Sequence, residues 1–410
     1  MNVVGTVVGN IMNDLSPKTG EAPSLGRGLK ILMVSGDGTA GQDGSAFAKR
    51  LQEYGQHVGE LHVLILGRGS RSTDLELAPN VYVYDKRSRY GVKSFARGAF
   101  YAQGLVAMHK IDVITSQDPF EHGWVALKVA RATGAKLHIQ VHTDFLSPWF
   151  TRSGIYRSPR VRQPFRNRVR LRLADRVLPY ADAIRTVSKR VRDSIVAKYG
   201  TRVPDPSVLP IRVPPDESTP QPLPPHEFTF TLVTASRLEP EKRVEDIIAA
   251  VARLKDSYPM LGVVIIGDGS ERSRLEKMAR DLGIERQVVF SGRQENARGM
   301  LKSAQAYIQA SAYEGYGMAL VEAALAGLPI VTSDVGIVGE VFTGYENVLA
   351  APVGDPVNLA ALVAQIIEDP HVRVTLSMEG KRVAEEHLAS VRNAAADVVE
   401  DIARALSPHP

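Results

Sequence analysis

Two carboxylates eight residues apart, Glu314 and Glu322, bracket the run Tyr313-Glu314-Gly315-Tyr316-Gly317-Met318-Ala319-Leu320-Val321-Glu322. The preceding segment, Ala304 to Ala310, is short and mostly apolar and reads as a buried parallel strand, whereas Met318 to Ala326 is rich in Ala, Leu and Val and reads as a helix. A glycine-rich turn between a strand and a helix presents free backbone N–H groups where the macrodipole favours an anion. A carboxylate beside such an anion site is electrostatically awkward unless it accepts hydrogen bonds, for example from sugar hydroxyls. Glu314, with the amides of Gly315, Tyr316 and Gly317, is therefore expected at a phosphate and sugar site, and Glu322 inside the helix that follows. A solvated loop glutamate and a helix-surface glutamate are the plain alternative, because one short motif specifies little.

A second loop supplies the opposite charge. Phe228 to Ser236 reads as a strand and Val244 to Leu254 as a helix, so Arg237 and Lys242 share the strand-to-helix loop between them. From there two cations can reach a diphosphate, and neutralising a departing diphosphate is electrostatic catalysis. Surface pairing of Lys242 and Arg243 with Glu239, Glu241 or Glu245 is the alternative, and is worth little energetically.

With both loops in place, the chain resembles the retaining nucleotide-sugar glycosyltransferases of the two-Rossmann GT-B fold, in particular glycosyltransferase family 4. The resemblance rests on Arg237 and Lys242, Ile266-Gly267-Asp268-Gly269, Val289-Phe290-Ser291-Gly292-Arg293, Glu314 with Glu322-Ala323, and Gly327-Leu328-Pro329-Ile330-Val331 through Gly339-Glu340-Val341. It implies that Glu322 binds ribose hydroxyls, that Gly292 and Arg293 border the base, and that Gly267 lies at the donor. It also implies same-face attack with retention of configuration, the departing phosphate oxygen taking the acceptor proton, so that no protein base is required. Many family members have an Asn-Gly-Val-Asp-like turn where this chain has Pro210-Ile211-Arg212-Val213-Pro214, and phenylalanine is commoner at the position of Tyr316.

The elements that must position these residues follow from pattern. Apolar runs alternate with helical stretches, which argues for parallel sheets covered by helices. In the first half the expected strands are Leu29 to Ser35, Leu61 to Leu66, Val81 to Tyr84, Val113 to Ser116 and Leu137 to Val141, with helices such as Ser45 to Tyr54 and Trp124 to Ala132. In the second half, strands near 229–235, 262–266, 287–290, 305–310, 329–333 and 347–350 are expected. Nine of the 25 prolines fall between Val203 and Pro225, which marks a linker rather than a sheet or helix interior. The division is a loose tail over 1–28, an acceptor-side domain over 29–205, a linker over 206–225, a nucleotide-sugar domain over 226–389, and a last helix over 390–410. Ser390 is a candidate N-cap for that helix, which the resemblance would send back across the first domain.

The N-terminal half adds two candidates. Gly36-Asp37-Gly38-Thr39-Ala40-Gly41 follows a strand and fits the dinucleotide fingerprint, so an NADP-dependent oxidoreductase with Arg68 at the 2′-phosphate is one alternative function. The resemblance instead makes Gly38 and Gly41 part of a loop over the donor diphosphate and acceptor. His142, at the carboxyl end of a strand, is well placed for a ligand; by resemblance it contacts the donor sugar near its reacting end, with Asp144 a lesser candidate. A same-fold epimerase and a non-enzymatic sugar-nucleotide binder complete the alternatives.

Composition narrows the partners. The 410 residues are 44% hydrophobic and contain no cysteine, which excludes disulfides and thiolate chemistry and fits a reducing cytoplasm. There is no Asp-x-Asp and no two-histidine metal spacing, so no metal and no cofactor beyond the nucleoside-diphosphate sugar is expected, with UDP or GDP as the nucleotide. Residues 3–12 are too short and lack the basic leader of a signal peptide or span. Residues 1–215 carry 32 Lys and Arg against 17 Asp and Glu, a net +15, whereas residues 216–410 carry 18 against 28, a net −10. Arg152 to Arg176 holds nine arginines and one acid, Asp175, and follows Leu146, Trp149 and Phe150. Such a run with aromatic flanks suggests a peripheral contact with an anionic membrane or an anionic acceptor, and a solvated helix face is the alternative. Nucleic acid is not expected, because no base-reading signature accompanies the arginines.

Overall fold

A computed structural model describes residues 28–407 apart from 43, 71–73, 153–162 and 392–393. Residues 1–27 of the expected tail, residues 153–162 of the arginine run and the last three residues lie outside the described residues.

The first sheet has eight strands: β1 (Lys30–Ser35), β2 (Glu60–Ile65), β3 (Leu75–Ala78), β4 (Val81–Asp85), β5 (Val113–Ser116), β6 (Lys136–Val141), β7 (Ala183–Thr186) and β8 (Ser207–Val208), in the order β3-β4-β2-β1-β5-β6-β7-β8. All pairings are parallel except that of β3 with β4. Helices α1 (Ala46–Gly55), α2 (Gly91–His109), α3 (Glu121–Thr133), α4 (Gln163–Val177) and α5 (Lys189–Tyr199) belong to this domain. The second sheet contains β9 (Phe230–Ala235), β10 (Leu261–Ile266), β11 (Val288–Gly292), β12 (Ala306–Gln309), β13 (Ile330–Ser333) and β14 (Leu349–Ala351), all parallel, in the order β11-β10-β9-β12-β13-β14. Its helices are α6 (Val244–Leu254), α7 (Arg272–Asp281), α8 (Ala297–Leu301), α9 (Met318–Leu325), α10 (Pro356–Glu368) and α11 (Pro370–Ser390), followed by α12 (Ala394–Ala403).

The local chemistry explains the elements. β10 reads Leu-Gly-Val-Val-Ile-Ile and is buried along its whole length, as a parallel strand covered on both faces must be. In α6, Val244, Ile247, Ile248, Val251 and Leu254 recur at helical spacing and are buried against that sheet. Both α10 and α11 begin with an aspartate cap followed by proline, Asp355-Pro356 and Asp369-Pro370, each carboxylate accepting from two backbone N–H groups.

Several boundaries differ from the sequence reading, and β3, a mostly exposed antiparallel edge strand, was not expected either. β7 was not expected because Arg185 interrupts its apolar run; the guanidinium is buried and donates to Gln140 Oε1 at 2.9 Å and to the Leu209 carbonyl at 3.2 Å. β8 lies inside the proline-rich stretch, where Ser207 and Val208 pair with β7 before the chain leaves the sheet. Ser390 ends α11 instead of capping the last helix, its hydroxyl donating to the His387 carbonyl. α12 packs on the first domain, with Val398, Val399 and Ile402 in one cluster with Ile31, Met33 and Val113. Among the described residues no helix is long and apolar enough to cross a membrane.

Candidate active site

The carboxyl edges of the two sheets face each other. A Cβ on Gly315 would meet the carbonyl oxygen of His142 at 2.0 Å, so only glycine lets the glutamate loop approach the end of β6 this closely. Ser188 donates to the Gly315 carbonyl at 2.7 Å, and Arg190 reaches Asp334, Gly336 and Val338 across the same divide.

Lys242 and Glu314 meet at this edge. Residues Pro240–Lys242 form a single 3₁₀ turn, and the Ala312 N–H donates to the Glu241 carbonyl at 2.8 Å, which docks one loop on the other. Lys242 Nζ then lies 2.5 Å from Glu314 Oε1, and Ser311 Oγ donates to the same oxygen at 2.7 Å. Both charged side chains are largely buried, at 18% and 15% exposure. Arg237, by contrast, is exposed at the cleft and holds Glu241 at 3.2 Å. The next loop closes on this one, because Leu238 N–H donates to the Asp268 carbonyl and a Cβ on Gly267 would lie 1.9 Å from the Ser236 carbonyl. Gly267 also bonds the Gly292 carbonyl through its N–H at 2.8 Å, bringing the end of β11 and exposed Arg293 to the same rim.

Helix α9 is preceded at its N-cap by Gly317, which has no side chain to cap it, so its first N–H groups remain available to an incoming anion. The Tyr316 ring is directed away from the cleft. It is buried, its hydroxyl 2.5 Å from His387 Nε2, and burial pushes the phenol well above its ordinary value. Only the backbone of Tyr316 borders the site, and its carbonyl accepts from Ile337 N–H at 3.0 Å.

Glu322 is held by a residue that the motif reading did not single out. Arg298 Nη2 donates to Glu322 Oε1 at 3.1 Å, while Nη1 donates to the carbonyls of Pro214 and Pro215 at 2.9 and 3.2 Å. The proline-rich linker is thus fastened to the second carboxylate. Nothing in the spacing of Arg298 signals this, since its partners are 24 and more than 80 residues away.

On the facing wall, His142 lies just beyond β6 with Nε2 3.3 Å from Gln140 Oε1. Burial, then the Arg185 and Arg50 cations, push its pKa down to about 3, so the imidazole is neutral near pH 7. Asp144 is buried, its Oδ1 has no hydrogen-bond partner, and burial raises its pKa despite Arg190. Gly38 and Gly41 bound a short 3₁₀ turn, and Arg87, paired with Asp85 at 2.6 Å, lies over Gly38. This turn does not open a helix: α1 starts at Ala46, its N-terminus already capped by Ser45. The dinucleotide fingerprint requires the glycines to lead straight into a helix end, so its key anion contact is missing here.

The lipid reading of Leu146, Trp149 and Phe150 needs correcting. Phe150 is 3% exposed and stacks edge-on with Tyr313, and Leu146 and Trp149 pack against the same core. Trp149 also lies under the guanidinium of Arg243 from the second domain. These aromatics brace the domain contact, because a ring buried in protein has no apolar face left for lipid. Of the arginines, 157, 160 and 162 lie outside the described residues, and Arg170 pairs with Glu121 at 3.1 Å. Arg168, Arg172 and Arg176 are exposed on α4 beside Phe165, itself 69% exposed.

Two parallel-sheet Rossmann-like domains, closing carboxyl edge to carboxyl edge over a cation, an uncapped helix end and two carboxylates, define the GT-B class. Residues 46–216 match the model described as Glycosyltransferase Family 4, and residues 216–383 match that of glycosyl transferases group 1. The chain belongs to this family of glycosyltransferases.

Among curated relatives, glycogen synthase of Mycobacterium tuberculosis is 38% identical over 142 residues, 34% of each chain. The lipopolysaccharide core biosynthesis glycosyltransferase LpsD of Rhizobium meliloti is 33% identical over 151 residues, 37% of this chain and 43% of that one. The matched stretches therefore span a third to less than half of these relatives' lengths. Among solved structures, sucrose-phosphate synthase of Thermosynechococcus elongatus superposes with a TM-score of 0.71 at 18% identity, covering 87% of this chain and 94% of that one. Anabaena HepE in complex with UDP and glucose gives 0.68 at 19% identity, covering 90% and 99%.

Proposed function

We propose that this protein transfers a hexose unit from a nucleoside-diphosphate sugar to a hydroxyl acceptor, with retention of configuration and without a metal. The observation that carries the reading is the Lys242–Glu314 pair at the cleft edge, with exposed Arg237 beside it and the uncapped end of α9 next to it. An incoming diphosphate competes with Glu314 for the lysine. Once Lys242, Arg237 and the α9 amides hold the phosphates, Glu314 is released to accept sugar hydroxyls. Charge accumulating on the departing diphosphate then meets fixed positive groups, which is where electrostatic stabilisation acts. Neutral His142 can donate to or accept from a sugar hydroxyl near the reacting carbon without adding charge. By family resemblance Glu322 takes the ribose, with Arg298 orienting it, and the departing phosphate oxygen takes the acceptor proton. The donor reading is supported by HepE, whose structure contains UDP and glucose.

The acceptor belongs to the first domain. A cavity lined by Arg68, Arg89, Tyr90 and Gly91 opens beyond the ends of β2 and β4, which favours an acceptor carrying negative charge. The outer face of α4, with Phe165 between arginines, supports a peripheral position on an anionic inner membrane surface, in the cytoplasm.

Calorimetric titration of UDP, GDP, ADP and NADP, with and without magnesium, tests the reading. Magnesium-independent binding of one nucleoside diphosphate is expected, and donor turnover that needs an acceptor. Binding of NADP alone, or epimerisation of the donor without any acceptor, overturns it.

A further inference from the structure

At the amino edge of the first sheet, opposite the cleft, three metal-ligating side chains converge among the described residues. Glu60 and His62 are two apart on β2 and so share one face of the sheet, and His109, in the last turn of α2, comes down on that face. Glu60 Oε2 is 3.0 Å from His62 Nε2 and 3.2 Å from His109 Nδ1, and all three ligand atoms lie within 4.8 Å of one another. Tetrahedral zinc, with bonds of about 2.0–2.1 Å, spaces its ligand atoms about 3.3–3.4 Å apart, and the two Glu60–histidine separations need lengthen only slightly to reach that. We propose that Glu60, His62 and His109 form a structural site for a divalent transition metal of the zinc type, with water as fourth ligand.

The groups behind the ligands support the assignment. Tyr84 OH lies 3.1 Å from His62 Nδ1, where the phenol oxygen can accept from an Nδ1–H. That hydrogen bond fixes the tautomer that leaves the Nε2 lone pair free, the usual way an outer group orients a metal-bound imidazole. Lys30 Nζ holds Glu60 Oε1 at 2.6 Å, which pins the carboxylate and leaves Oε2 for the ion. The Lys30 ammonium also repels a cation, so the site favours ions that gain most from two imidazoles over magnesium or calcium. His62 is fully buried, but Glu60 and His109 are 27% and 28% exposed, which gives the ion a path and its water a place.

The same contacts also describe a metal-free network in which one carboxylate oxygen accepts from two imidazoles. Titration of the full-length, chelator-treated protein with zinc and then cobalt separates the two. The expected result is one zinc per chain, with visible cobalt bands of four-coordinate type and a zinc-dependent rise in unfolding temperature. His109→Ala should weaken zinc binding at least 100-fold and Glu60→Gln at least tenfold, both without change in circular dichroism. His109 is partly exposed in the last turn of its helix, so its loss leaves the domain folded. Less than one equivalent bound at micromolar free zinc overturns the site, and so does undiminished binding in both variants. Neither readout depends on transfer activity.

Discussion

The two walls of the cleft solve the problem of burying polar groups in opposite ways. On the second domain charges are paired with opposite charges: Lys242 with Glu314, Arg298 with Glu322, Arg243 with Asp246. On the first domain the corresponding edge carries a histidine held neutral, an aspartate with an unpartnered oxygen, and a buried arginine bonded to a neutral glutamine. Pairing offsets the cost of desolvating these charges, and under the proposed function it is an arriving diphosphate that would exchange for one of the partners. Apart from the Arg185 guanidinium, held by Gln140 and the Leu209 carbonyl, the first domain's edge offers His142 as a neutral group that neither attracts nor repels charge. Under the proposed function, the charged wall would meet the nucleoside-diphosphate donor and the opposite wall the acceptor.

The sharpest test of this contrast removes one partner of the charged wall. Lys242→Ala is expected to lower kcat/KM by about 10²–10³-fold or more, since a leaving-group contact is lost. It should also destabilise the fold by about 1–3 kcal/mol, because Glu314 is left largely buried with Ser311 alone. Glu322→Ala should lose donor binding and transfer while staying folded, as Arg298 keeps its two linker carbonyls. Initial rates and urea unfolding read both. Near-normal activity in both variants would remove the donor-site assignment.

His142 tests the neutral wall with a smaller effect. His142→Gln should reduce kcat by about tenfold while leaving nucleoside-diphosphate affinity unchanged. The folded imidazole titrates near 3, against about 6.5 when unfolded. The unfolded chain therefore binds the extra proton between those values. His142's contribution to stability is intact above about pH 6.5 and is lost as pH falls below it. The glutamine variant lacks that dependence, so its unfolding midpoint should fall less than the parent's between pH 6.5 and 4. Parallel curves would show that His142 is not held neutral by its surroundings.

The smallest effect lies outside the cleft. Replacing Arg168, Arg172 and Arg176 with glutamate should abolish co-sedimentation with anionic liposomes at low salt, with little change in rate toward a soluble acceptor. Absence of liposome binding by the parent protein would end the membrane reading and leave α4 a solvated surface.

The charged wall was largely legible because its residues lie in local motifs: a glycine turn, an arginine and a lysine five apart, a helix starting on cue. β5 and α6 even keep the bounds that pattern gave them. What escaped was long-range. Arg298 joins Glu322 to the linker through contacts that only the fold creates, and His109 meets Glu60 from 49 residues away. Trp149 and Phe150 were misread because an aromatic beside arginines looks the same in sequence whether it faces lipid or a neighbouring domain. β7 hid for a related reason, since Arg185 is buried only because Gln140 and Leu209 are there to receive it.

α12 has a consequence for how the chain is made. Its Val398, Val399 and Ile402 complete a core with β1, β2 and β5, and Asp401 meets buried His138 at 2.9 Å. During synthesis the first domain emerges early, yet that face of its sheet lacks its last helix until the chain from β8, ending at Val208, has been translated as far as α12, which starts at Ala394. The ribosome thus releases a half-dressed Rossmann sheet whose apolar face must be shielded, by a chaperone or by haste, until the last helix arrives to close it.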